Sequence, residues 1–323
     1  MTTIAKAPAG RLELFPVTFF AVVMGLGGLA LALHAAAPAL GFGPGLSGIA
    51  FAVAAAVFGL VTVIYLAKAA RHPRAVAAEW HHPVKLAFFP AISISLLLLG
   101  TSALTHAPPL ALPLWLAGAG LHAVLTVTVV SGWIGSRSFQ HGHLSPAWFI
   151  PAVGNVIVPM AGVPLGFVGL SWYFMAVGLL FWIVLLTLVF NRLVFHDPLP
   201  ERLQPTLVIL IAPPAVAYVA WLRLVGEAGP FAEILLNSAY FFTLVVAVQL
   251  PGILRLPFAM SFWALSFPFA AIAIASFAHA GIAGSALHEF IGVGLLAVLI
   301  VVIGALSLRT LQAVARGEIC QPE

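Results

Sequence analysis

Charge is what this sequence has least of: only 7% of its 323 residues are Asp, Glu, Lys or Arg. Soluble domains carry about 25%, and the mean hydropathy here is +1.15, so a water-soluble fold is excluded. Cys320 is the only cysteine, so the chain has no internal disulfide. The only lysines are Lys6, Lys68 and Lys85, and none follows a glycine. A nucleotide-binding P-loop, and with it an ATP-driven pump within this chain, is therefore excluded. No Gly-x-Ser-x-Gly elbow occurs, and His288-Glu289 meets Gly292 where a metalloprotease needs its second histidine. Long polar stretches are missing as well. The longest, Arg71 to Pro83, leaves no room for a soluble catalytic domain. The continuous apolar runs exclude a transmembrane β-barrel, whose strands alternate apolar and polar residues.

What is abundant is apolar surface, at 63% of the residues. At roughly 20 apolar residues per membrane-spanning helix, the chain holds about ten such helices. Runs bounded by Pro, Gly and charged clusters give spans 1 to 10 at 15–34, 47–68, 84–104, 111–135, 146–165, 167–191, 205–223, 230–250, 258–279 and 285–311. The connections are short, and residues 1–323 read as a single transmembrane domain. The apolar run after the polar start, Met1 to Glu13, lacks a clear small-x-small cleavage site and reads as a retained first helix.

Basic residues orient the spans. Both termini and the loops after even spans hold Lys6, Arg11, Lys68, Arg71, Arg74, Lys85, Arg137, Arg192, Arg202, Arg255, Arg309 and Arg316, against Arg223 alone on the other side. Basic residues near helix ends stay cytoplasmic, so both termini are expected in the cytoplasm. The formal net charge of +4 is scattered over these loops, which explains it by membrane orientation and not by nucleic-acid binding.

The prolines carry a repeat. Pro90, Pro151, Pro213 and Pro268 fall in spans 3, 5, 7 and 9, with spacings of 61, 62 and 55 residues. Spans 2, 6, 8 and 10 as bounded above have no internal proline. Span 1 starts at Pro16 and places Gly25, Gly27 and Gly28 in its middle. A proline removes a backbone donor and clashes with the carbonyl four residues back. Lipid cannot satisfy the freed carbonyl, so such breaks belong beside protein or a water-filled cavity. The expected fold is therefore all-α, with five helical hairpins. An inner ring of kinked odd helices surrounds a pore, and an outer ring of straight even helices faces lipid.

The chemistry available inside the membrane is sparse. Lys85, Arg192, Glu233 and Glu289 all lie at span ends, which argues against a carboxylate proton relay. His81-His82 and His141-Gly142-His143 read as loop residues, and no metal or cofactor site is expected. His122 lies in the middle of span 4 with no acidic partner and reads as a hydrogen-bonded packing residue. Small polar groups on odd spans, Ser93 and Ser266 among them, are candidates for lining a pore or for linking helices. Phenylalanine recurs before the breaks, in Phe88-Phe89-Pro90, Phe149-Ile150-Pro151 and Phe267-Pro268, and span 1 adds Phe20. A cluster of such rings at one depth can form an apolar constriction that gates by dewetting.

Three stretches make the chain resemble a known family. They are His82-Pro83-Val84-Lys85 leading into Phe88, Ser145-Pro146-Ala147-Trp148-Phe149-Ile150-Pro151-Ala152-Val153, and Trp263-Ala264-Leu265-Ser266-Phe267. Taken with the ten-span pattern, they are similar to the tellurite-resistance (TehA) and plant slow-anion-channel family, which also includes dicarboxylate and sulfite transporters. The similarity to bacterial TehA is the greater. The resemblance implies a homotrimer in a bacterial inner membrane, with one pore per subunit lined by odd helices. It implies a gate at Phe267, with Phe20 and Phe88 nearby. It also implies small inorganic or organic anions as substrates. The expectation is an anion channel and not an enzyme, with a carrier for dicarboxylates, sulfite or other oxyanions as the alternative and a membrane-embedded enzyme as a distant one.

The topology has a direct test in the lone thiol. A membrane-impermeant maleimide is expected to miss Cys320 in intact spheroplasts and to label it after permeabilisation. Equal labelling of intact cells would mean an odd number of spans or an inverted protein.

Overall fold

A computed structural model describes residues 10–135 and 139–321. Lys6 and Arg137, two of the basic residues used for orientation, lie outside that range. The described residues are helical, with no strand. Among the described residues nine helices are long and apolar enough to cross a membrane. The expected span 5 is different. In place of one kinked helix it is a chain of short pieces within Pro146–Gly162.

The odd spans share one construction. Each opens with a 3₁₀ turn and continues as an α-helix. In span 1, Val17–Phe19 leads into α1 (Phe20–Leu40). Span 2 is α2 (Gly45–Arg71), followed by a short helix, α3 (Pro73–His81), in the stretch expected to be loop. In span 3, Lys85–Phe88 leads into α4 (Ala91–His106), and span 4 is α5 (Pro108–Gly135). Span 5 alternates: a 3₁₀ turn at Pro146–Trp148, α6 (Phe149–Val153), a second 3₁₀ turn at Gly154–Ile157, then α7 (Pro159–Gly162). Span 6 is α8 (Val168–Phe195). In span 7, Glu201–Ile211 leads into α9 (Ala212–Val225), and span 8 is α10 (Pro230–Ile253). In span 9, Met260–Leu265 leads into α11 (Ser266–Ala283), and span 10 is α12 (Ala286–Ala315).

This construction corrects the reading of the prolines as kinks inside long α-helices. Pro90 immediately precedes α4, Pro213 is the second residue of α9, and Pro151 and Pro268 are the third residues of α6 and α11. All four mark the change from 3₁₀ to α. A first-turn residue has no intrahelical acceptor for its N–H, so proline costs little there. The even spans are not free of proline either: α10 runs three residues past the expected end and takes in Pro251.

Burial separates the two classes. The most apolar stretches of spans 1, 3, 7 and 9 are 72–89% buried, against 22–33% for spans 2, 4, 6, 8 and 10. Each even helix packs on the odd span before it, giving five hairpins. The odd spans also contact one another in a closed order. α1 packs on α4 and α11, α4 on α7, α7 on α9, and α9 on α11. Exposed leucines, isoleucines and valines concentrate on the even helices, such as Ile49, Val63, Ile183, Leu244 and Val301. That placement suits a lipid-facing layer.

Side chains of the neighbouring helix tie the pieces of span 5 down. From α5, Trp115 Nε1 donates to the carbonyl of Val158 at 2.9 Å, and Thr126 Oγ1 donates to that of Pro151 at 2.8 Å. Asn155 Nδ2 in turn donates to Ala152 O at 2.7 Å and to Thr126 Oγ1 at 3.0 Å.

At the amino-terminal end of span 1 a buried charge pair ties three elements together. Lys68, at the end of α2, is 1% exposed, not solvated as its place among the loop bases suggested. Its Nζ lies 2.8 Å from Glu79 Oε2 on α3 and donates to Phe15 O at 2.8 Å. Tyr65 Oη donates to Glu79 Oε2 at 2.9 Å, and the Val17 N–H, free at the helix start, donates to Oε1 at 3.4 Å. Cys320 lies near this corner and is half-buried. Burial pushes its thiol above the ordinary range, opposed by the positive charges of Lys68 and Arg11. A raised thiol is less ionised at neutral pH, so its reaction with maleimide speeds up on moving to alkaline pH.

Breaking the Lys68–Glu79 pair leaves one buried charge uncompensated. Lys68→Met is expected to lose about 3–5 kcal/mol of stability, and a Lys68→Met/Glu79→Leu double variant to recover most of it. Denaturation midpoints in detergent check both. A single variant as stable as the parent would mean that the pair does not anchor this corner.

Candidate pore

Two cavities lie between the odd spans. The larger, about 60 Å³, takes lining residues from all five odd spans, among them Met24, Phe88, Phe149, Pro213, Val216 and Phe267. The smaller, about 10 Å³, is lined by Leu31, Met160, Val216, Val219, Phe267, Ala271 and Ile274. No even helix contributes to either. The larger cavity meets residues near the starts of the odd α-helices, such as Ala21, Ala212 and Ala264, and the smaller meets residues further along them. Phe267 and Val216 line both, so they stand between the two.

The lining carries no charge and almost no polarity. Trp263 is the one side chain there with a polar atom, and its Nε1 is turned away to donate to Thr310 Oγ1 at 2.9 Å. A water needs roughly 10–15 Å³ of such space. The smaller cavity therefore holds about one at most, and the larger has room for a small anion stripped of most of its hydration.

Phe267 is held by close helix packing. On α1, a Cβ added at Gly28 would lie 2.8 Å from Ala270 Cβ and 3.3 Å from Phe267 Cδ2. The absence of a side chain at Gly28 thus lets α11 lie against α1 with the Phe267 ring between the cavities.

The sequence-derived candidates divide. Phe267, Phe88 and Phe149 line the larger cavity, and so do Pro151's neighbours Ile150 and Val153, with Pro213 and Pro268. Phe20, Ser93 and Ser266 line neither cavity. Phe20 points the other way, edge-on to Phe58 and Tyr65 of α2 at 6.0 and 5.9 Å. Ser93 donates to Pro90 O at 2.8 Å and meets His122 Nδ1 at 2.9 Å. Ser266 donates to Trp263 O at 2.6 Å and fills the space over Gly25. These two hydroxyls serve the backbone because a buried donor is costly to leave unmade. Sequence reasoning passed over Val216, Met24 and Ile94. Their only signal was apolar spacing, as in Phe267, Ala271 and Ile274 on one face of α11. Among the described residues no group of three His, Cys, Asp or Glu side chains is placed to hold a metal ion.

Residues 14–311 match the SLAC1 family, described as a voltage-dependent anion channel. The chain belongs to that family. Among SLAC1-family relatives it is 28% identical, over 94% of its own length and 92% of the other, to the tellurite resistance protein TehA homolog of Haemophilus influenzae. An uncharacterised transporter of Methanocaldococcus jannaschii is 26% identical over 94% of this chain and 96% of the relative. The S-type anion channel SLAH3 of Arabidopsis thaliana is 27% identical over 80% of this chain, which covers 41% of the plant protein. Further plant relatives carry the same name of S-type anion channel.

Gly28→Ala would force α1 and α11 apart at the Phe267 ring. The variant is expected to lose about 1–3 kcal/mol, as overpacked cores do, measured as a lowered thermal midpoint in detergent. An unchanged midpoint would show that the two helices are not locked at this contact.

Proposed function

We propose that this chain forms an anion channel gated by Phe267, with the five odd spans around the conducting axis. The observation that carries the proposal is the pair of cavities sharing Phe267 and Val216. Two spaces on one axis, lined only by odd spans and separated by one ring, have the form of a pore closed at a single level. With both termini cytoplasmic, the larger cavity opens toward the cytoplasm and the smaller toward the outside. The kinship to S-type anion channels and to a TehA homolog supports anions as the permeating species.

The apolar lining sets the selectivity. A phenyl ring and aliphatic side chains offer an anion no hydrogen bond, so passage requires shedding water. An isolated charge in a low-dielectric site carries a large solvation penalty. Weakly hydrated monovalent anions such as nitrate pass more easily than chloride, and divalent oxyanions least. The positive cytoplasmic loops bias the field toward anions without a fixed charged site. In this reading the protein works as a homotrimer in a bacterial inner membrane, each subunit with its own pore, and the TehA kinship extends to tellurite resistance.

Phe267→Ala joins the two cavities. Anion conductance in reconstituted bilayers is expected to rise strongly, with nitrate above chloride, while the fold and oligomer survive. Ohmic current supports the channel, whereas saturable, counter-transported uptake of dicarboxylate or sulfite would replace it with a carrier. If Phe267 served packing alone, alanine would cost about 3–5 kcal/mol with no gain in current. A well-folded variant with parental conductance removes the gate assignment.

A further inference from the structure

Three polar side chains, Trp115, His122 and Thr126, lie seven and four residues apart on one face of α5, all turned into the protein and buried. Two of them have a clear structural task, donating to the carbonyls of Val158 and Pro151 in span 5. His122, between them, does not. It is 0% exposed. Its Nδ1 lies 2.9 Å from Ser93 Oγ. The single hydroxyl proton of Ser93 is given to Pro90 O, 2.8 Å away. With that assignment of the hydroxyl, the proton between ring and serine belongs to Nδ1, and Nε2 is the nitrogen with the free lone pair. That atom is buried and has no hydrogen-bond partner among the described residues. Thus the packing role expected of His122 accounts for one ring nitrogen only.

Nε2 faces the place where Gly154 lacks a side chain. A Cβ there would lie 2.9 Å from Nε2, 2.7 Å from His122 Cε1 and 2.7 Å from Ile94 Cδ1. Gly154 and Ile94 both line the larger cavity. A basic nitrogen thus stands one backbone thickness behind a wall that carries no charge of its own. The residues that meet the ring are neutral: Ser93 and Ile94 from span 3, and Gly154 from span 5, with Thr126 and Asn155 one turn along.

We propose that His122 is a positioning residue that takes up a proton when an anion enters the larger cavity, supplying through the Gly154 backbone the positive charge that the lining lacks. This rests on the reading that an anion occupies that cavity. The step balances simply: a proton from bulk water bonds to Nε2, Nδ1–H stays on Ser93, the ring gains one positive charge, and the proton leaves with the anion. Alone, either charge is expensive to bury; together they offset each other. Linkage makes the effect reciprocal, so acid favours anion occupancy and anion occupancy favours the protonated ring. One positive charge neutralises a monovalent anion and leaves a dianion half-compensated, so the site selects monovalent anions by charge as well as by dehydration.

The test uses the full-length protein with ¹⁵N-labelled histidine at about pH 6, where an imidazole responds to a nearby charge. The His122 signals, assigned by their loss in His122→Gln or His122→Asn, are expected to change from the neutral to the doubly protonated pattern when nitrate replaces gluconate. Sulfate is expected not to produce the change. In parallel, acidification from about pH 8 to about pH 5.5 is expected to raise nitrate current through Phe267→Ala by about tenfold, and His122→Gln is expected to remove that rise. An unchanged ring signal in nitrate overturns the proposal whatever the current, and leaves His122 as a tie between spans 3 and 4. A changed ring signal with no current in Phe267→Ala keeps His122 as an anion-linked site and sinks the channel reading instead. The ring signal of the unmutated protein decides even if the double variant does not fold.

Discussion

The structure depends on one constraint: within a bilayer, every backbone N–H and C=O must find a partner inside the protein. Five segments of this chain break the regular helical ladder, by 3₁₀ turns and by prolines where 3₁₀ gives way to α. Those segments cannot face lipid. The outer helices, α2, α5, α8, α10 and α12, each run as one continuous α-helix that satisfies most of its own backbone, and they take the outside. The outer helices reach a mean hydropathy of 2.8 against 2.0 for the inner ones, so hydrophobicity and this accounting both favour the division into two layers.

Span 5 shows the constraint at its most severe. It is too broken to stand as a membrane helix, yet it lies at the centre of the fold. Trp115 and Thr126, reaching in from α5, donate to its carbonyls at Val158 and Pro151 and tie it to the neighbouring helix. The polar face of an outer helix thereby becomes part of the inner wall. His122 belongs to the same face, which is why an apolar cavity has a basic nitrogen behind it.

The same breaks leave space on the axis. A 3₁₀ turn is narrower than an α-turn, and the changes in helix type keep the odd spans from packing as smooth cylinders. The remaining volume is lined by Met24, Phe88, Phe149 and Val216, and is divided at Phe267. Glycines at 25 and 28 of α1 then allow α11 to come close enough for the ring to fill the gap. Proline and glycine placement, apolar lining and central division are linked consequences of a broken inner layer.

Much of this was legible in the amino-acid sequence. Composition determined an all-helical membrane protein, because so little charge and so many long apolar runs permit nothing else. The proline period identified the five hairpins and which member of each lies inside, since the cost of an unpaired carbonyl in lipid holds wherever the chain folds. It also singled out Phe267, Phe88 and Phe149 beside the breaks. Tertiary structure alone decided where side chains point. Phe20 precedes no proline break but lies on an inner span like Phe88, and it turns away to Phe58 and Tyr65 of α2. Ser93 and Ser266 are polar residues on inner helices, yet each is captured by a backbone carbonyl one turn back. Lys68 counts as a loop base in sequence and is buried because α3 brings Glu79 over it. The free nitrogen of His122 depends on the angle between α5 and span 5 and on a glycine thirty-two residues away. Periodicity reports the burial of a residue but not its partners, and partners are set by distances between segments that are far apart in the chain.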